Sequence, residues 1–130
     1  RWGEFLNIKI NQKPKFFPPK DPHTPALFCL ASIDMGIKIQ FGFKVLEQLW
    51  AKENDISNLE TLKLIANDLR INFEDLSKLA MSDKIKKIYE TNTQEAINMN
   101  IFGVPTYIYN NEIFWGQDRL ELLEHSLRKN

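Results

Sequence analysis

At 130 residues the chain is long enough for one domain, and 43% hydrophobic with 12% aromatic residues places it among globular rather than disordered sequences. Seventeen acidic residues cancel seventeen basic ones, so no net field recommends nucleic acid or an anionic membrane as the partner. Apolar runs such as Ala26–Ser32 are too short to span a bilayer, and a single cysteine, Cys29, admits no intrachain disulfide and suits a reducing compartment.

In chain order, Arg1–Asn7 reads as the tail of a helix and Gln12–Pro25 as a connector whose five prolines forbid a regular helix. Thr24 ahead of Pro25 predicts a helix start, with the hydroxyl as cap and proline at the first position, running to Met35 and stopping at Gly36. A second helix is expected over Ile39–Lys52, with Phe43, Leu46, Leu49 and Trp50 at helical spacing and Gly42 as a weak point. Ser57 and Glu60 have the spacing of a capping box for a third helix, with Leu59, Leu62, Ile65, Ala66 and Leu69 on one face. Asn72 is placed to cap a short helix over Phe73–Ala80. Ser82 is placed to cap a longer one, from Asp83 to about Asn100, with Ile85, Ile88, Tyr89, Ala96 and Ile97 turned inward. No repeat period or low-complexity segment interrupts this five-helix stretch.

After Ile101 the period changes from helical to alternating. Thr106–Tyr109 and Glu112–Trp115 are β-branched and aromatic, and Asn110-Asn111 between them tolerates the positive φ of a two-residue hairpin turn. A last helix over Gln117–Arg128 is expected to pack Leu120, Leu123 and Leu127 on the sheet. Just before the hairpin stands Gly103-Val104-Pro105-Thr106. A cis Val104–Pro105 bond would turn the N–H and C=O of Val104 outward, free to pair with an extended peptide. A trans proline opening a strand is the plainer alternative. Just after the hairpin comes Gly116-Gln117-Asp118-Arg119, where a helix N-terminus favours a carboxylate and Gln117 and Asp118 suit an ammonium or amide. Together they describe a pocket for a small zwitterionic peptide.

The segment F-G-V-P-T, two strands, then F-W-G-Q-D-R-L-E-L-L resembles the ending of the 2-hydroxychromene-2-carboxylate isomerases and kappa-class glutathione transferases, in the DsbA-like branch of the thioredoxin superfamily. L-W-A-K-E-N-D-I-S-N at Leu49–Asn58 is similar to that family's W-x-x-x-x-D-I motif, and Arg1-Trp2 with Pro14–Pro19 resembles its lead into a helical insert. The resemblance implies an α/β thioredoxin-like fold that is mostly helical here. Residues 1–100 would be connector and all-helical insertion, and 101–130 the closing β-β-α unit.

It also implies a cytoplasmic, glutathione-dependent isomerase of aromatic catabolism, with glutathione and a small unsaturated aromatic acid as partners and a homodimer as the assembly. Val104 and Pro105 would hold the cysteinyl backbone of glutathione, and Gln117, Asp118 and Arg119 its ends. Such relatives open with a β-α-β unit whose first strand ends at the serine thought to activate the glutathione thiol. A chain that reads from Arg1 without that unit is expected to be a piece of a longer protein, inactive alone, and no catalytic residue is assigned. With that unit absent, the edge at Thr106–Tyr109 is expected to be covered by strands of an N-terminal segment or by a second copy, or the stretch refolds around its helices. A glutathione transferase and a DsbA-like thiol-disulfide oxidoreductase stand as alternatives, the latter needing a Cys-x-x-Cys upstream; a purely structural or dimerisation unit is a third.

Other residues carry two readings each. Arg119 either reaches a ligand carboxylate or pairs with Glu121 or Glu124, and Gln117 and Asp118 either contact ligand or merely oppose the helix dipole. His23 is either near a substrate or simply solvated, and Phe16 and Phe17 either line an acceptor site or staple the connector. Trp50 and Trp115 read as core. Cys29, among Ala26, Leu27, Leu30 and Ile33, reads as a small buried hydrophobe rather than a nucleophile. His125 faces solvent, and two distant histidines give no metal signature.

Overall fold

The computed structural model describes residues 1–129 and divides into two compact units, Arg1–Glu90 and Thr91–Asn130. The first unit is built from α1 (Trp2–Phe5), α2 (His23–Asp34), α3 (Gln40–Trp50), α4 (Leu59–Asp68), α5 (Phe73–Ala80) and the start of α6 (Asp83–Asn98). Its core contains Phe28 of α2, Phe41 and Val45 of α3, Leu62 and Ile65 of α4, Leu76 of α5 and Ile85 of α6. Phe28 stacks between Phe41 and Phe73, at 6.4 and 5.8 Å between ring centroids. Buried polar side chains are satisfied from within: Ser32 donates to the Cys29 carbonyl at 2.7 Å, and Gln48 accepts from Asn54 at 2.6 Å.

Capping chemistry sets the helix boundaries, though not always with the expected residue. Asn72 caps α5 as its sequence position implies, accepting from the Asp75 N–H at 2.9 Å. At α4 the cap is Asn58, which accepts from the Glu60 N–H, and the Ser57–Glu60 box does not form. Ser57 is drawn elsewhere: its hydroxyl accepts from the Asp21 N–H at 2.9 Å, tying the connector to the start of α4. Thr24 does not cap α2. The helix begins two residues before Pro25, at His23, because the Asp21 carboxylate reaches forward to the N–H groups of His23 and Thr24 at 2.9 and 3.1 Å. Those N–H groups and the Thr24 hydroxyl, the hydroxyl most of all, hold the Asp21 carboxyl below its ordinary range.

The inward face of α3 also differs from the expected one. Phe41, Val45, Gln48 and Leu49 are buried, whereas Phe43 and Leu46 are more than half exposed. The helix is apolar on two sides, and only one of them meets the core. In α6 only Ile85 is buried, and Ile97 is exposed. The connector is stapled by its own aromatics, as one of its two readings had it: Phe16 packs against the core and Phe17 lies 5.0 Å from Trp50, ring to ring. The Phe17–Pro18 and Val104–Pro105 peptide bonds are cis.

The second unit carries the end of α6, a hairpin of β1 (Thr106–Tyr109) and β2 (Glu112–Trp115), a 3-10 turn over Gln117–Arg119, and α7 (Leu120–Arg128). The antiparallel register runs from Thr106 opposite Trp115 to Tyr109 opposite Glu112, and Asn110 and Asn111 take the positive φ values, 50° and 63°, that close it. The helix packs against both strands. Phe114 is the only buried side chain of this unit among the described residues, so Trp115, half exposed, is not core, and Leu120 and Leu127 stay about half exposed. Among the described residues no helix is long and apolar enough to cross a membrane.

Candidate functional site

The hairpin brings the two flanking tetrads together. Continuing the register one step beyond Thr106 and Trp115 sets Pro105 opposite Gly116, and the Gly116 N–H donates to the Pro105 carbonyl at 2.9 Å. Val104 is the residue just before this junction and Gln117 the residue just after it. The Thr106 hydroxyl donates to the Gly103 carbonyl at 2.6 Å and pins the turn that presents Val104. Val104 is 89% exposed, and neither its N–H nor its C=O has a hydrogen-bond partner among the described residues.

Two glycines make this approach possible. A Cβ on Gly103 would lie 2.6 Å from the Trp115 indole nitrogen, so only a bare backbone passes over that ring. Gly116 has φ 108°, and a Cβ there would meet a carboxylate oxygen of Asp118 at 2.5 Å. The Asp118 side chain thus folds back over Gly116, toward the strand ends. Phe102 packs on Trp115 with centroids 4.9 Å apart, and both rings remain largely exposed beside Val104. Gly103 and Gly116 open the two tetrads in the sequence, but their close approaches to Trp115 and Asp118, and the pairing of Phe102 with Trp115, come only from the folded geometry.

Of the residues expected at the site, Pro105 is joined by its carbonyl to Gly116, the residue before Gln117, and Val104, Gln117, Asp118 and Arg119 are exposed. The side chains of Gln117, Asp118 and Arg119 make no hydrogen bond or ion pair among the described residues. Arg119 does not pair with Glu124, whose partner is Arg128. The site thus offers one free main-chain donor and acceptor pair, one carboxylate, one amide and one guanidinium. Such a set matches an extended peptide carrying both an ammonium and a carboxylate.

The remaining candidates belong to the helical unit. His23 Nδ1 lies 2.8 Å from the Tyr89 hydroxyl, with the rings edge to face. Cys29 is half buried, and burial pushes its thiol up to about 11, so nothing at this position activates it as a nucleophile. His125 is exposed. No group of three His, Cys, Asp or Glu that could hold a metal ion occurs among the described residues.

Comparison with known proteins bears on the whole chain. A family model described as DSBA-like thioredoxin domain matches residues 1–128. A 2-hydroxychromene-2-carboxylate isomerase of Pseudomonas sp. (strain C18) is 28% identical over 98% of this chain and 58% of its own length. One of Pseudomonas putida is 31% identical over 64% of this chain and 41% of its own. A solved 2-hydroxychromene-2-carboxylate isomerase superposes with a TM-score of 0.76 at 21% identity, over 99% of this chain and 62% of that one. The chain thus spans some two fifths to three fifths of the length of these relatives. The fold is DsbA-like, and the curated relatives it matches carry an isomerase name. On the strength of a match that takes in both the helical stretch and the closing hairpin and helix, the chain belongs to the DSBA-like thioredoxin domain family.

Proposed function

We propose that this chain is the peptide-holding part of a glutathione-dependent isomerase of the 2-hydroxychromene-2-carboxylate type, acting on a small unsaturated aromatic acid. The observation that carries the reading is the free N–H and C=O of Val104 and the unpartnered side chains of Gln117, Asp118 and Arg119, on the two chain segments that the Gly116–Pro105 main-chain hydrogen bond joins. The names of the relatives supply the reaction class. Glutathione, when bound, would supply a nucleophilic thiolate for reversible addition to an unsaturated carbon.

The chain's own residues hold and orient. The Val104 N–H donates to, and its C=O accepts from, the main chain of the cysteinyl residue, as a strand edge does. The Asp118 carboxylate takes the γ-glutamyl ammonium, Gln117 supports the same end, and Arg119 takes a carboxylate. Gly103 and Gly116 keep the approach clear of side chains. Activation of the thiol belongs to the whole protein, so this stretch alone is proposed to hold the tripeptide without turning over substrate. A homodimer and a cytoplasmic location accompany the reading.

Among the alternatives, a thiol-disulfide oxidoreductase draws no support from Cys29, whose thiol is held protonated. Calorimetric titration of the protein with glutathione tests the proposal. Saturable heat that weakens about tenfold or more in Asp118→Ala supports it, since a charge-assisted hydrogen bond contributes about 1.5–3 kcal/mol. Binding that Asp118→Ala leaves unchanged, or no binding at all, refutes it.

A further inference from the structure

The side of α3 that the core leaves unused forms one wall of a groove in the helical unit, of about 470 Å3, with α2 and the proline connector as the other wall. That volume lies within the range of small-molecule sites, roughly 300–1,000 Å3. The groove extends along α2 from Pro25 to Ile33, which is about 12 Å at roughly 1.5 Å per residue. Phe43 and Leu46 of α3 face it, and Cys29 and Gly42 contribute to its lining.

Two features give this groove an occupant rather than mere emptiness. Gly42 stands in the interior of α3, where glycine costs about 1 kcal/mol relative to alanine. Unlike Gly103, it is not required by the chain's own packing, because a Cβ there would meet nothing nearer than the Cys29 sulfur, at 3.8 Å. The bare backbone keeps space open over the groove. The second feature is charge. Lys38, in the turn between α2 and α3, is the only charged residue lining the groove, and it has no ion-pair partner among the described residues. Asp34, four residues away, is already held by Lys84 at 2.7 Å. The groove therefore has one cationic end, with an apolar trough leading from it between the helices to the prolines.

We propose that this groove binds an amphipathic monoanion of the medium-chain fatty acid type, with its carboxylate at Lys38 and its alkyl tail between α2 and α3. The site shares no residue with the peptide-holding turn and stands independently of the function proposed for it. A longer tail would outrun the trough, and a dianion would bring a second charge against an apolar wall.

Decanoate below its micelle threshold, titrated calorimetrically against the protein with decanol as the neutral comparator, tests the proposal. Saturable one-to-one binding is expected, and bound decanoate slows alkylation of Cys29, the only thiol, by N-ethylmaleimide. Lys38→Met lowers decanoate affinity about threefold and leaves decanol unaffected, as an exposed ion pair implies. Gly42→Leu fills the trough and abolishes binding of both, while circular dichroism shows the helices retained. The proposal is overturned by any of three results: no saturable binding, decanoate affinity untouched by Lys38→Met, or a protein dimer that Gly42→Leu dissociates, which would give the groove to a second copy.

Discussion

The helical unit and the hairpin unit hold themselves together by different means. Residues 1–90 close a core around Phe28, Leu62, Ile65 and Leu76, all fully buried, whereas residues 91–129 bury only Phe114. In the first unit apolar burial dominates, at about 25 cal/mol per Å2. In the second, a register, a two-residue turn and two obligatory glycines fix the geometry. The region with the least core presents the candidate site, consistent with binding groups residing where main chain stays unpaired.

Core truncation should expose the contrast most sharply. Phe28→Ala is expected to cost about 3–5 kcal/mol, read by denaturant unfolding of the helical unit. Phe114→Ala is expected at the low end, about 3 kcal/mol, with loss of amide-exchange protection confined to the hairpin and α7. Equal loss of protection in both units would dissolve the distinction between them.

Backbone substitutions come next. Gly103→Ala forces a Cβ against the Trp115 ring and is expected to destabilise the hairpin by about 1–3 kcal/mol. Trp115 fluorescence should shift, while the helical unit keeps its midpoint. Gly42→Ala runs the other way: with room for the added methyl, it is expected to stabilise α3 by up to about 1 kcal/mol.

The pH dependence tests the helical unit alone. Burial raises the Cys29 thiol from its ordinary 9.0 to about 11, so the folded state holds that proton more tightly than the unfolded one. Its stabilising contribution is complete below about pH 9 and is lost as pH rises through 11, up to about 2 kcal/mol after allowing for partial exposure. Cys29→Ala should flatten the stability profile across that window. Asn72→Ala removes the α5 cap for about 1 kcal/mol without touching the hairpin unit.

Where local chemistry decides structure, the sequence is explicit. The Asn72 cap places α5, and Asn110-Asn111 places the hairpin and its register. Where two local solutions compete, tertiary context chooses. Ser57 and Asn58 both suit a cap for α4, and the outcome turns on Ser57 being engaged by Asp21, 36 positions away. The apolar residues of α3 cover two faces, and spacing cannot say which one meets Phe28; Phe43 and Leu46 consequently look like core and prove to line a groove. Trp115 misleads for a related reason, since in a two-stranded sheet only one face is covered and Phe114 occupies it. The positions of the two tetrads were readable because they flank a turn whose register can be counted. The exposure of Val104 and the fold of Asp118 over Gly116 depend on three-dimensional packing.

Above all, the main chain of Val104, with the Gln117–Arg119 turn, is proposed to hold an extended glutathione. Amide chemical-shift mapping by NMR during titration with glutathione addresses it directly. The predicted result is saturable shifts at Val104, Gln117, Asp118 and Arg119, with the amides around Phe28 and Leu62 unmoved. Shifts confined to the helical unit, or a Val104 amide indifferent to saturating glutathione, would contradict it.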